Sequence, residues 1–322
     1  MITRREAQKM NARLGLNRRD FLKANLLLSA QCLAESLWGS DRSSWGLQYV
    51  LASSLYGNLP LSAILPEVKK AGSQYIDLWP KIWGTQREQV SAMGYEEFGE
   101  LLQKNGVRLA ISTRFDLGPF KLADEIRFLQ KFGGRTIVTG SIFGMHHLKR
   151  AVLKGEIKKF VEQMKPHLSS AGEAGIKIAI ENHANSLIAS PDAIRWLAES
   201  AGELPLGIAL APYHLRQDSA MLAHLIQDLG PKLAVFYAWQ YGMGCMKPMP
   251  PKEELMQLPG RGKLDFTPLL EALKNIRFAG WTEIFMHHTP RGVPIWPTAP
   301  QITEDIVQAR QYLEGILKGL RT

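Results

Sequence analysis

The strongest constraint on what this chain can fold into is an alternation that runs through it eight times: a short apolar segment, then a longer stretch whose apolar residues recur at helical spacing. That order is the mark of parallel strands joined by crossover helices. Strands are predicted to begin near Gln48, Tyr75, Arg108, Arg135, Ile176, Leu206, Leu233 and Trp281. Helices are predicted over Leu61 to Ala71, Tyr95 to Asn105, Leu122 to Phe132, Ile157 to Ala174, Pro191 to Ala201, Ser219 to Leu229, Thr267 to Asn275 and Thr303 to Leu317. Gly72, Gly106, Gly133, Gly175, Gly202 and Gly230 each follow such a run, as expected of the residue that ends a helix in a left-handed turn. Ser190 and Pro191 open another helix, as N-cap and first helical residue. Eight strands suit a closed ring better than an open sheet, so the expected fold class is α/β: a single (β/α)8 TIM barrel over residues 46–318, preceded by an N-terminal signal segment. A length of 322 residues with 45% hydrophobic content suffices for one large core.

Strand parity agrees with a barrel. From Leu206 to Ala211 the bulky Leu206, Ile208 and Leu210 share one face and Gly207, Ala209 and Ala211 the other, which sets large residues against helices and small ones inside. The same alternation turns Glu283, Phe285 and His287 inward and Ile284 and Met286 outward. The longest stretch between strands, Trp239 to Gly280, carries Met243, Met246, Pro248, Met249, Pro250 and Pro251. It is too rigid and apolar for a linker and belongs on the carboxy-terminal face, where barrels of this kind keep their sites.

Asn17-Arg18-Arg19-Asp20-Phe21-Leu22-Lys23, followed by the weakly apolar Ala24 to Ala30, resembles a twin-arginine export signal. Residues 1–34 are therefore expected to be a signal peptide, cleaved after Ala34. That route carries folded proteins, so a periplasmic or otherwise exported location in a bacterium is expected. The signal segment holds much of the formal charge of +9, and the mild remainder argues against a nucleic-acid partner. No apolar run reaches the roughly 18 residues of a membrane span. Cys32 and Cys245, the two cysteines, cannot build a disulfide framework or a thiolate cluster.

Strand five ends Ile178-Ala179-Ile180-Glu181-Asn182-His183, strand six runs Gly207-Ile208-Ala209-Leu210-Ala211-Pro212-Tyr213-His214, and a later loop reads Pro259-Gly260-Arg261-Gly262-Lys263-Leu264-Asp265-Phe266. In order and position these resemble the Glu-Asn-His, Leu-Asp-x-x-His and Pro-Gly-x-Gly-x-(Ile/Leu)-Asp-(Phe/Trp) motifs of the xylose-isomerase-like barrels, which include sugar isomerases, ketose epimerases and inosose dehydratases. The resemblance implies four ligands at the ends of strands five to eight, usually Glu, Asp, His and Glu. These hold a divalent metal (Mn, Mg, Co or Zn) against a sugar carbonyl and hydroxyl while carboxylates move a proton. Glu181 matches the first ligand and His214 the strand-six histidine. Ala211 stands at the Asp and has no donor atom, Tyr237 replaces the strand-seven ligand, and Phe285 stands at the last Glu, with Glu283 one inward position deeper. Two readings follow. A rearranged metal site uses Glu181 and His214 with His183, Glu283 or His287, or the pocket works without metal; the departures tilt the balance toward the second.

Glu181 ends an apolar strand where an ionised carboxylate needs a partner, which suits a base or ligand; an ion pair with a nearby Arg or Lys is the alternative. His214 and His287 are candidate acid/base groups, with backbone-satisfied imidazoles as the plainer reading. Asp77, Trp79, Arg114, His147, His183, Tyr237, Trp239, Gln240 and Arg291 all fall after strands on one rim and form the expected substrate-binding set, with Arg114 and Arg291 as clamps. Tyr237, Trp239, Tyr241 and Trp79 offer flat surfaces of the kind that pack on sugar rings, or else pack in the core. Glu283 is a metal candidate, an acid held neutral, or a partner of the inward Lys177.

The expected function is a sugar or keto-sugar isomerase or epimerase, or a related lyase, acting by proton transfer beside a carbonyl on a small carbohydrate. The alternative is a non-catalytic carbohydrate-binding barrel that has lost the family metal site. Phosphate-ester hydrolysis would need a multi-metal set of His and acidic ligands for which the chain lacks positions.

Overall fold

The computed structural model describes residues 45–320; the twin-arginine stretch and its cleavage position lie outside them. Eight parallel strands close into one barrel in sequence order: β1 (Gln48–Ala52), β2 (Tyr75–Leu78), β3 (Arg108–Thr113), β4 (Thr136–Thr139), β5 (Lys177–Glu181), β6 (Leu206–Leu210), β7 (Leu233–Ala238) and β8 (Trp281–Ile284). The ring shuts where β8 pairs with β1, Val50 lying opposite Glu283. Six strands begin at the predicted residue, and β4 and β5 one residue later.

The helices are α1 (Leu61–Lys70), α2 (Gln86–Met93), α3 (Tyr95–Asn105), α4 (Ala123–Phe132), α5 (Arg150–Glu173), α6 (Pro191–Ala201), α7 (Ser219–Leu229), α8 (Pro251–Glu254), α9 (Thr267–Asn275) and α10 (Ala299–Gly319). Ser190 caps α6, its hydroxyl accepting from the Ala193 N–H at 3.3 Å, and Gly106 and Gly133 end α3 and α4 in left-handed conformation. Two differences from expectation share a cause. Helix α2 has Val90 as its buried aliphatic residue and buries Gln86 and Arg87 beside it, and α5 begins seven residues before Ile157 with two turns in which Leu153 is the buried residue. Segments that bury polar side chains, or little at all, show no apolar periodicity to read.

Parity places the core. Ile178, Ile180, Ile208, Leu210 and Phe236 are fully buried between barrel and helices, each stabilising the fold by about 1.5–3 kcal/mol relative to exposure. Inside the ring, Gly207 admits no larger residue without movement, since a Cβ there would lie 2.8 Å from that of Ala234 and 3.1 Å from Lys177 Cδ. Just past β5, the Asn182 side chain accepts from the Ala211 N–H at 2.8 Å and donates to the Ala211 carbonyl at 3.0 Å, fixing the end of β6 to the end of β5. None of the described helices is long and apolar enough to cross a membrane.

Candidate active site

Inward parity at the carboxy-terminal ends of the strands brings Asp77 (β2), Thr113 (β3), Glu181 (β5), Tyr237 (β7) and Glu283 (β8) into one buried layer. Asp77 accepts from the Thr113 N–H at 3.0 Å and the Thr113 hydroxyl at 2.6 Å. Neither carboxyl oxygen of Glu283 has an ordinary donor. It lies against Asp77, and the Trp79 indole N–H approaches both acids without closing a hydrogen bond of good geometry. Burial pushes Asp77 up to about 8, and burial reinforced by the neighbouring Asp77 and Glu181 charges pushes Glu283 well above the usual carboxylate range. Two acids this close in a dry interior are held by keeping a proton between them. Asp77 is thus no substrate contact but part of the floor. Glu283 pairs with it rather than with Lys177, which opens onto a cavity of about 500 Å3 at the opposite, amino-terminal end of the barrel.

This layer sets a direction for pH dependence. The unfolded chain releases the Asp77 and Glu181 protons near their ordinary values of 3.8 and 4.5, whereas the folded chain holds them to about 8 and about 7. The folded state therefore binds more protons across that window, and stability falls as pH rises through it. His214, lowered by burial to about 4 from 6.5, acts oppositely, but only below 6.5. Between pH 6.5 and 8 the acids act alone. The melting temperature is expected to drop by several degrees over that interval, and Glu283→Gln, which replaces an acid with an uncharged isostere, should flatten the slope and raise the value at pH 8. A steeper slope in the variant would contradict the shared-proton floor.

Above the floor, Glu181 is 4% exposed, and its Oε1 lies 3.5 Å from His214 Nε2, a nitrogen with no hydrogen-bond partner. The contact is an ion pair only when His214 is protonated. Burial raises Glu181 to about 7, with the His183 charge pulling it back, and burial lowers His214, so both are driven toward their neutral forms. His183 packs on His214 with ring centres 4.0 Å apart, and its Nδ1 hydrogen-bonds the Ala184 carbonyl at 2.7 Å. Burial also lowers His183, and His287 falls well below its ordinary value, through burial and then the Arg291 charge.

Aromatic rings wall the site. His287 meets Phe285, Trp239 and Trp79 edge-on, at 4.7, 5.3 and 5.9 Å between ring centres, and Trp79 stacks on Phe285 at 5.0 Å. Trp239 stacks under Tyr213 at 4.1 Å and touches His214 edge-on at 5.2 Å. Tyr237 is fully buried with an unpartnered hydroxyl, and burial, then the neighbouring carboxyls, hold its proton on.

Glu181, His183, His214, His287, Trp79, Tyr237 and Trp239 therefore converge as expected; Asp77 lies in the floor beneath them, and four more residues of the expected set serve otherwise. Arg114 is locked between the buried Glu125 and Asp116, the latter at 2.7 Å. Gln240 donates to the Leu258 carbonyl at 2.7 Å and accepts from the Leu264 N–H at 2.9 Å, so its amide is consumed in fastening the loop after β7. His147 is exposed and its ring meets His146 rather than the cluster. Arg291 donates to the carbonyls of His288 (2.9 Å) and Cys245 (3.1 Å), to the Cys245 sulfur at 3.1 Å and to the Thr289 hydroxyl at 3.3 Å. It ties two loops together and contributes its field, not a free fork.

Sequence reasoning missed Gln257. This buried side chain accepts from the Trp239 indole N–H at 2.9 Å and the His287 N–H at 3.2 Å, and donates to the His287 carbonyl at 2.9 Å. Three residues earlier in the chain, Glu254 accepts from the Thr289 N–H at 3.0 Å and hydrogen-bonds His288 Nδ1 at 2.5 Å. The Glu-x-x-Gln spacing in an otherwise apolar loop was the signal available.

The family's metal quartet does not fit these residues. Ala211 is buried and offers no donor atom, Phe285 is packed into the aromatic wall, and Glu283, the remaining metal candidate, faces Asp77. Among the described residues, no three His, Cys, Asp or Glu side chains converge closely enough to hold an ion, so Glu181, His214 and Glu283 form no such group.

Solved structures share the architecture at low identity. A zinc-bound IolI protein matches with a TM-score of 0.65 and 16% identity, covering 85% of this chain and 99% of that one. An L-ribulose 3-epimerase matches with a TM-score of 0.64 and 14% identity, over 86% and 96%. A D-psicose 3-epimerase from Clostridium cellulolyticum H10, solved with D-tagatose, matches with a TM-score of 0.61 and 16% identity, over 84% and 99%. No curated protein matches in sequence. A family model for the xylose isomerase-like TIM barrel matches residues 65–312. With that match spanning β2 to β8 and the ring of strands closed, the chain belongs to the xylose isomerase-like TIM barrel family.

Proposed function

We propose that this protein is a proton-transfer enzyme acting beside the carbonyl of a small neutral carbohydrate, as an isomerase, epimerase or related lyase. The observation that carries the reading is Glu181: a buried carboxyl raised to about 7, 3.5 Å from an imidazole nitrogen that has no other partner. A base works best when its pKa lies near the working pH. As the carboxylate, Glu181 takes the proton from the carbon next to the carbonyl; the C–H electron pair becomes the new C=C bond and the carbonyl π pair moves to oxygen, giving an enediolate. His214, neutral above about pH 4, offers its tautomeric N–H to the carbonyl oxygen without having to lose a charge first. His183 and His287 extend the uncharged polar rim. Both expected arginine clamps are consumed within the protein, which favours a neutral sugar over a sugar phosphate or sugar acid.

The donor set supports a mechanism without a resident metal. Dialysis against a strong chelator is expected to leave turnover within two-fold, whereas a ten-fold loss restored by Mn, Mg, Co or Zn would overturn this part of the reading. The pH profile supplies the other test. Because Glu181 must be ionised, kcat/KM should rise with pH through about 7 and level off above it. A profile flat from pH 5 to 8 would remove Glu181 from the base role. The aromatic wall also suits sugar binding without turnover; in that case sugars bind, and solvent deuterium never enters them. We further propose, from Arg18-Arg19 and the residues after them, that the protein is exported through the twin-arginine route to the periplasm. Arg18→Lys with Arg19→Lys should keep it in the cytoplasm.

A further inference from the structure

The aromatic wall does not stop at the catalytic residues. Phe143, after β4, meets His183 at 5.3 Å; His183 packs on His214 at 4.0 Å; His214 meets Tyr213 at 4.9 Å; and Tyr213 stacks on Tyr241, after β7, at 5.3 Å. The rings make an unbroken arc along the rim from β4 to β7, with the imidazole pair at its centre. Its two ends are open to solvent: Tyr241 is 49% exposed and Phe143 57%.

Large rings left in water cost free energy unless something covers them, and on the lip of a carbohydrate site the face of a sugar ring is such a cover. The ends are also held in place. The Tyr241 N–H donates to Gln217 Oε1 at 2.9 Å and the Tyr241 carbonyl accepts from Gly244 at 2.8 Å. Gly242 follows at φ +55°, where a Cβ would lie 2.6 Å from the Met256 backbone. Around Phe143, the Gly144 N–H donates to the Asn185 carbonyl and the Leu187 N–H to the Ile142 carbonyl, both at 2.7 Å. The two ends differ in one respect. Tyr241 lies nearly parallel to Tyr213 (27°), and Tyr213 nearly parallel to Trp239 (8°), so one face of Tyr241 is backed by two rings. Phe143 meets its neighbour edge-on at 70°.

Building on the proton-transfer reading, we propose that the substrate is a glycoside of at least two sugar units: the reacting ring sits at Glu181 and His214, and the ring attached to it stacks on Tyr241. Tyr241 is thereby a specificity-determining residue, and a lone monosaccharide uses only part of the site.

Saturation-transfer NMR titrations of the full chain test this with matched probes: D-glucose against cellobiose, maltose and lactose, and D-xylose against xylobiose. At least one disaccharide should bind about ten-fold more tightly than its own monosaccharide. Tyr241→Ala should bring that ratio close to one, while Tyr241→Phe, which keeps the ring, should preserve it. Equal binding within every pair overturns the proposal, as does a ratio that survives Tyr241→Ala or is abolished by Phe143→Ala alone. Should Glu181→Gln leave deuterium exchange intact while the Tyr241-dependent preference persists, the catalytic reading falls and the second subsite stands.

Discussion

Glu181→Gln should abolish turnover by about 10³-fold, within the range a positioned general base supplies, while leaving sugar affinity within a few-fold. The substitution keeps the shape and hydrogen-bonding capacity of the side chain and removes the proton acceptor. It also removes the acid that burial holds near pH 7, so no folding penalty is expected. The direct readout is isotopic: in heavy water the wild type should carry deuterium into one carbon of its substrate, and the variant should not. Because Glu181 is nearly sealed from solvent, the rate of that wash-in relative to turnover also reports how often the captured proton returns before exchanging. His214→Asn should show a smaller loss, since a neutral imidazole assists the carbonyl rather than taking the proton. Unaltered exchange in Glu181→Gln would end the assignment.

The largest effect on folding is expected at Glu125, in α4. Its carboxylate is 1% exposed and accepts from Arg87 Nε at 2.9 and 3.1 Å, from the Ser112 hydroxyl at 2.5 Å, and from Arg114. Arg87, itself 8% exposed, lies over the Phe128 ring at 4.0 Å. Glu125→Ala would leave two guanidinium groups in a poorly solvated place with half their compensation gone, a loss of about 3–5 kcal/mol, or roughly 10 °C in melting temperature for a domain of this size. Arg114→Ala should be milder, because Glu125 keeps Arg87, and should lower stability rather than raise KM. A normal melting temperature with a large rise in KM would restore Arg114 to the clamp role expected from its position on the rim.

What could be read in advance follows from what periodicity encodes. Alternation along β5, β6 and β8 tells which side chains face inward, and that alone set Glu181, Phe285 and His287 on one rim and Gly207 inside the ring. Parity cannot say what stands opposite. Arg114 and Gln240 sit after strands, where substrate contacts are expected, yet Glu125 lies on α4, and Leu258 and Leu264 lie 18 and 24 residues further along the stretch that follows β7. His147 fails for a related reason: eight residues past the end of β4, the chain has already turned away. The Asp77–Glu283 pair joins β2 to β8, neighbours of β1 that are far apart in sequence, and no local pattern marks two acids that share a floor. Gln257 lies in an irregular stretch where no period applies, and its partners, Trp239 and His287, are 18 and 30 residues away in the chain.

The Gln257 carboxamide has a thermodynamic corollary. The Trp239 indole and the main chain of His287 are immobilised by one buried amide, so the freedom of that half of the opening is surrendered when the chain folds. A ligand arriving there meets surfaces already in their bound arrangement, and its association entropy should carry little contribution from ordering Trp239 or His287.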